Sequence, residues 1–198
     1  MSLSARRYWI FDMDGTLTVA AHDFPAIKRS LGLDPQRPIL EQMAALPERE
    51  REARFQRLDA IELAIARSSR TQPGALELLS LLHASGARLG ILTRNSHANA
   101  METLAQCGLS SFFPAPFVLG REACAPKPSG DGIRKLLQAW DARPEQAVMV
   151  GDFLYDLQAG REAGTFTVYF DIGGEGEYAA QADLCVHTFF ALRDHLKG

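Results

Sequence analysis

The chain has 198 residues and a mass of 21.8 kDa, with 46% hydrophobic residues, 23% charged residues and a formal net charge of −3. That length permits one domain with a modest insert or two very small domains. It buries roughly 70% of the unfolded chain's surface, so no metal or disulfide staple is needed for folding. A mildly acidic chain without a long single-sign block disfavours nucleic acid and anionic membranes, both of which need a basic surface.

The first apolar run, 7–11, follows Arg6 and Arg7 and is interrupted at once by Asp12 and Asp14. It reads as a strand, not as a signal peptide or a membrane span. From about Thr18 to Gln72 no strand pattern occurs, and prolines at 25, 35, 38 and 47 divide the segment into helical pieces. The longest piece, 47–69, would span roughly 35 Å as a helix. Phe55, Leu58, Ile61 and Ile65 give it an apolar stripe, while its charged first half, 48–54, should be solvated.

Beyond this segment, short apolar runs at 88–92, 117–119, 147–150, 165–170 and 183–186 alternate with helical patterns. Most runs are continuously apolar, as in strands covered on both faces. Pro73 and Gly86 bracket one helix, Ser96 and Gly108 a second. Ile133, Leu136, Leu137 and Trp140 mark a third, and 154–163 before Gly164 a fourth. The alternation predicts a doubly wound, parallel α/β sheet of Rossmann-like form, built from 1–17 and 73–198, with 18–72 as an α-helical insert after the first strand. Cys107, Cys124 and Cys185 are too few and scattered for a disulfide scaffold, which fits reduced thiols in a cytoplasmic protein.

Three polar clusters follow strands: Asp12-Met13-Asp14-Gly15-Thr16, Thr93-Arg94-Asn95, and Gly151-Asp152 with Asp156. In open α/β sheets ligands bind at the carboxyl ends of the strands. Asp12 and Asp14, two apart in an extended segment, point to one side. As a lone motif they could equally be a solvated turn, and Asp152 and Asp156 an ordinary acidic helix start. Together, four carboxylates in one crevice repel strongly, by about 4 kcal/mol for a pair 4 Å apart at an effective dielectric near 20. A cation must offset this, and all-oxygen donors suit Mg²⁺. Lys127, between Pro126 and Pro128, is a second cation for the crevice. Thr93 and Asn95 sit where they can cap the helix beginning near Ser96, and free N–H groups there form an anion site suited to phosphate.

The four clusters in this order resemble the haloacid dehalogenase superfamily. Asp12 to Thr16 match its first motif, Thr93 the second, Lys127-Pro128 the third, and Gly151 to Asp156 the acidic fourth. The helical insert directly after the first motif is similar to that of the phosphoglycolate phosphatase-like branch, which carries a small α-helical cap. Two positions depart from the pattern: Phe153 follows Asp152, where a small hydroxyl residue is common, and Ser-Gly-Asp follows Pro128.

The resemblance implies a Mg²⁺-dependent phosphatase acting on a small phosphorylated metabolite. Asp12 would be the nucleophile that forms an aspartyl-phosphate, and Asp14 the general acid and base. Thr93 and Lys127 would hold phosphoryl oxygens. The metal would be held by Asp12, the carbonyl of Asp14 and Asp152, with Asp156 supporting the shell or Lys127. Arg94, Asn95 and His22 are candidate substrate-binding residues, with Asp23 and the surface of Phe24 and Ile27 beside them. A phosphomutase of the β-phosphoglucomutase type keeps both Asp12 and Asp14 and is the alternative. A non-catalytic binding protein on the same fold predicts loss of a motif residue, and all are present. The chain is expected to act as a monomer or homodimer.

Overall fold

The computed structural model describes residues 2–197. Six strands form one all-parallel sheet: β1 (Tyr8–Phe11), β2 (Arg88–Leu92), β3 (Val118–Leu119), β4 (Ala147–Gly151), β5 (Phe166–Phe170) and β6 (Leu184–Val186). Their order is β3-β2-β1-β4-β5-β6. Tyr8 of β1 lies opposite Arg88 on one side and Ala147 on the other. The chain therefore builds outward from β1 in one direction and then crosses to build in the other, which puts the topological switch beside β1.

The described residues form eight α-helices: α1 (Phe24–Ser30), α2 (Ile39–Ala44), α3 (Glu48–Ala66), α4 (Ala75–Ala84), α5 (His97–Gln106), α6 (Asp131–Trp140), α7 (Leu154–Ala163) and α8 (Phe189–His195). The apolar runs of the strands are explained by their two covered faces. Trp9, Phe11, Val148 and Val150 pack with Leu78, Leu79, Leu104 and Phe189 of α4, α5 and α8. Ile10 and Met149, pointing oppositely, pack with Ile133, Leu136, Trp140 and Ala159 of α6 and α7. Both faces of the strands are hydrophobic because both are buried.

The parallel sheet agrees with the predicted α/β class, with small differences at element ends. Pro114 opens a tight turn over Ala115–Phe117, so Phe117 is spent in that turn and β3 starts at Val118. Asp183 precedes β6 because its carboxylate accepts hydrogen bonds from the N–H and hydroxyl of Thr167, at 2.8 and 2.9 Å. The long helix α3 starts after Pro47 and stops at Ala66, where the Ser68 and Ser69 hydroxyls donate back to the carbonyl of Ile65.

Helices α1 to α3 follow β1 as a separate layer with its own core of Ile27, Leu31, Leu33, Met43 and Leu58, flanked by Phe55, Ile61 and Ile65. The Gln42 amide stitches the connecting loop by bonds to the N–H and carbonyl of Asp34 and the carbonyl of Arg37, at 2.8 to 3.0 Å. The two linkers of this layer run side by side: Val19 N–H donates to Arg70 and Gln72 N–H to Leu17. No helix among the described residues is long and apolar enough to cross a membrane.

Candidate active site

The loop after β1 leaves the sheet with Met13 buried in the core below, which turns the carboxylates on either side of it toward the crevice. Gly15 has φ +92°, and a Cβ there would lie 2.3 Å from Oδ2 of Asp152. Only glycine lets this loop approach the end of β4 so closely. Thr16 completes the junction by donating to Oδ1 of Asp152 at 2.9 Å. After β2, the Thr93 hydroxyl accepts from Asn95 N–H at 3.1 Å, and Ser96 caps α5 by accepting from Asn99 N–H at 3.3 Å.

Lys127 reaches the centre of the crevice and is 3% exposed. Its Nζ lies 2.5 Å from Asp12 Oδ1 and 2.5 Å from Asp156 Oδ1. Burial alone would lower the lysine's pKa, but Asp12 and Asp156 reverse this and raise it, so the ammonium persists. Asp156 also accepts from Phe153 N–H at 3.0 Å through its other oxygen. Both of its oxygens are thus engaged by the protein, and it braces Lys127.

Asp12, Asp152 and Asp156 bring carboxylate oxygens within 4.8 Å of one another. Burial, then the charges of Asp12 and Asp156, push the Asp152 carboxyl up to about 8. Burial likewise raises Asp156 to about 6, against the pull of Lys127. One lysine therefore leaves the trio short of positive charge. The donor set fits a hard divalent cation such as Mg²⁺: every donor is oxygen, and the excess charge is negative. Oδ2 of Asp152 and the carbonyl of Asp14 accept no hydrogen bond from the described residues.

The sequence reading placed four carboxylates together, but the Asp14 side chain stands apart from the trio. It faces the helical layer, 3.9 Å from His22 Nδ1 and 3.5 Å from the Asn95 amide nitrogen. Burial raises its pKa, with His22 opposing and Asp12 adding to the rise. His22 is drawn inward, its side chain only 7% exposed and its ring stacked on Phe24.

A cavity of about 450 Å³ joins these groups to the helical layer. It is lined by Asp12, Asp14, Thr93, Arg94, Asn95, Lys127, Asp152 and Asp156 on the motif side, with His22 reaching in from the inserted segment. Phe24, Ile39, Leu40, Leu58 and Glu62 line it from the helices. Phe153 is exposed and packs edge-on against Tyr155 and Tyr178 at the rim.

Arg94 lines the cavity with its guanidinium already engaged. It holds both oxygens of Glu41 on α2, at 2.9 and 2.7 Å, donates to the Lys127 carbonyl and lies over the Tyr155 ring. A second arginine, Arg121, donates to Glu62 of α3 at 2.8 Å and also bonds Asp59. Arg121, Glu41, Glu62 and Tyr155 escaped the sequence reading. Glu62 alone left a signal: an acid four residues after Leu58, on a helical stripe that is otherwise apolar.

An all-parallel sheet of order β3-β2-β1-β4-β5-β6, with acidic residues and a buried lysine at its carboxyl edge and helices inserted after β1, places the chain in the Rossmann-like α/β class. The chain belongs to the haloacid dehalogenase-like hydrolase family, whose profile matches residues 8–164. It is 32% identical to an uncharacterized hydrolase of Saccharomyces cerevisiae, over 80% of this chain and 74% of the yeast protein. Pyrophosphatase PpaX of Halalkalibacterium halodurans is 34% identical over 56% of this chain and 51% of its own length. Among solved structures, a phosphoglycolate phosphatase-like protein of Lactobacillus plantarum superposes with a TM-score of 0.77 at 16% identity, covering 98% of this chain and all of the other.

Proposed function

We propose that this hydrolase is a Mg²⁺-dependent phosphatase of small phosphomonoesters, working through an aspartyl-phosphate on Asp12. The observation that carries this reading is the division of labour between two neighbouring carboxylates. Asp12 is ion-paired to Lys127, whereas burial raises the pKa of Asp14 and suits it to hold a proton. Environments that separate two carboxyl groups in this way assign one as nucleophile and the other as acid.

In the first step, the Asp12 oxygen not engaged by Lys127 attacks phosphorus. The phosphorus–alkoxide bond breaks, and Asp14 gives its proton to the departing oxygen. In the second, Asp14 takes a proton from water, the hydroxide attacks phosphorus, and the acyl-phosphate bond breaks to restore the Asp12 carboxylate. Lys127 and the Thr93 hydroxyl neutralise and orient phosphoryl oxygens, and Asn95 holds the Asp14 carboxyl in place. Asp12, Asp152 and the Asp14 carbonyl are the residues that would hold Mg²⁺, with Asp156 behind Lys127. Bound there, the ion would neutralise charge that develops on the transferring group. The helices over residues 18–72 act as the cap, which supplies His22, Phe24 and Glu62 to the cavity.

The test is phosphate release from p-nitrophenyl phosphate. Activity should require Mg²⁺, vanish with a chelator and vanish in Asp12→Asn. Full activity in that variant, with its mass verified, would sink the mechanism.

A further inference from the structure

Glu62 is a buried carboxylate that the proposed chemistry does not use. The residue is 8% exposed and lies one helical turn after Leu58, on the face of α3 that lines the cavity. Its Oε2 receives Arg121 at 2.8 Å and the Asn99 amide at 3.5 Å. Its Oε1 receives nothing from the described residues. Arg121 does not cancel its charge, because the same guanidinium also serves Asp59 and the Arg94 carbonyl. Burial outweighs Arg121 and pushes the Glu62 carboxyl up to about 7. Oε1 therefore stands open to the cavity as an acceptor for whatever group is seated there.

The cations on the same wall are already engaged. Arg94 gives its charge to Glu41, and Lys28 turns its Nζ onto the Pro35 carbonyl at 2.8 Å. His22 stands against Asp14. The wall offered to a leaving group combines apolar Phe24, Ile39, Leu40 and Leu58 with polar Gln36, Tyr155 and Glu62, of which only Glu62 is an acidic acceptor.

We infer that Glu62 is a specificity-determining residue: its free oxygen accepts a hydrogen bond from a hydroxyl on the leaving group. The cavity thereby takes phosphomonoesters of neutral, hydroxylated alcohols and rejects those carrying a second negative charge. This rests on the phosphatase reading and narrows it. It also separates this chain from catalysts of pyrophosphate or carboxylated phosphate esters, whose leaving groups would meet the Oε1 side of the carboxylate, away from Arg121.

A matched pair of substrates tests it, because glycerol 3-phosphate and 3-phosphoglycerate differ in a terminal hydroxymethyl against a carboxylate. With saturating Mg²⁺ at pH 8.5, where the Glu62 carboxyl is ionised, kcat/KM should favour glycerol 3-phosphate by at least about tenfold, since a buried like charge is a strong discriminator. In Glu62→Gln, which keeps the shape and removes the charge, the ratio should fall to within about threefold. A preference of the unaltered protein for 3-phosphoglycerate overturns the inference, whether or not the variant folds. So does an unchanged ratio in a variant with a native melting curve. Hydrolysis of p-nitrophenyl phosphate with neither three-carbon ester accepted also overturns it. Loss of all three activities would instead mark failure of the phosphatase reading, and the inference would fall with it.

Discussion

The sheet domain and the helical layer are held together by different forces, and this difference determines where each tolerates change. In the sheet domain, strands are covered on both faces and their apolar side chains form two continuous cores. The helical layer has one small apolar core of Ile27, Leu31, Leu33, Met43 and Leu58. It is fastened to the sheet domain by charge, through Glu41 on Arg94 and through Asp59 and Glu62 on Arg121. Hydrophobic burial is non-directional and forgiving of small shifts, whereas a half-buried ion pair depends on both partners. The sheet domain should therefore hold its shape without the layer, while the layer's position leans on these ion pairs beside the packing of α3 on α5.

The largest expected effect lies in the sheet domain and touches activity alone. Asp12→Asn should lower kcat for phosphate release by at least about 10³-fold, as removal of a covalent nucleophile does, with an unchanged circular dichroism spectrum. The next effect belongs to the junction. Arg121→Ala leaves Glu62 and Asp59 facing each other without a cation and should cost about 3 kcal/mol in chemical denaturation. Hydrogen exchange should quicken in α3 while the amides of β1 and β4 stay protected. Equal acceleration in both regions would break the comparison.

Acid and base sharpen the same contrast. The Glu62 carboxyl stands at about 7 in the fold against an ordinary 4.5. Its raised value means the folded state binds the proton more tightly, so the stabilisation is full below pH 4.5 and is lost as pH rises through 7. The loss amounts to about 3 kcal/mol. Glu62→Gln should gain on the unaltered protein in melting temperature between pH 5 and pH 8, and a constant difference would contradict this. Mg²⁺ at a hundred times its dissociation constant should stabilise the protein by about 2.7 kcal/mol. Asp152→Asn should abolish that shift while raising stability in the presence of chelator. Smallest of all, the exposed pair of Arg67 and Glu102, at 3.2 Å between the layer and α5, should contribute less than about 0.5 kcal/mol when Glu102→Ala is measured.

How much of this was legible in the sequence follows from the range of the interactions. Strands such as 88–92 and the group Asp12 to Thr16 announce themselves because neighbouring residues carry the pattern. The trio around Lys127 could be anticipated because each strand end deposits its polar residues on the same edge. The direction of the Asp14 side chain was not legible, since it depends on His22 and Asn95, which approach from other elements. Nor were the arginine clamps. Arg94 and Glu41 are 53 positions apart, and Arg121 and Glu62 are 59 apart; no local periodicity links them. From the sequence Arg94 is a candidate substrate contact, and the structure gives its guanidinium Glu41 as a partner.

The glycine at position 15 has a consequence for how the molecule can vary. The separation between the loop after β1 and the end of β4 is set by an atom that is missing, since even one methyl group would collide with the Asp152 carboxylate. Gly151 repeats the device, because a Cβ there would lie 2.2 Å from Cβ of Asp156. Two walls of the crevice are thus gauged by backbone touching an acidic side chain, and at Gly15 the positive φ excludes other residues as well. At these two positions of the crevice the chain has a vocabulary of one residue.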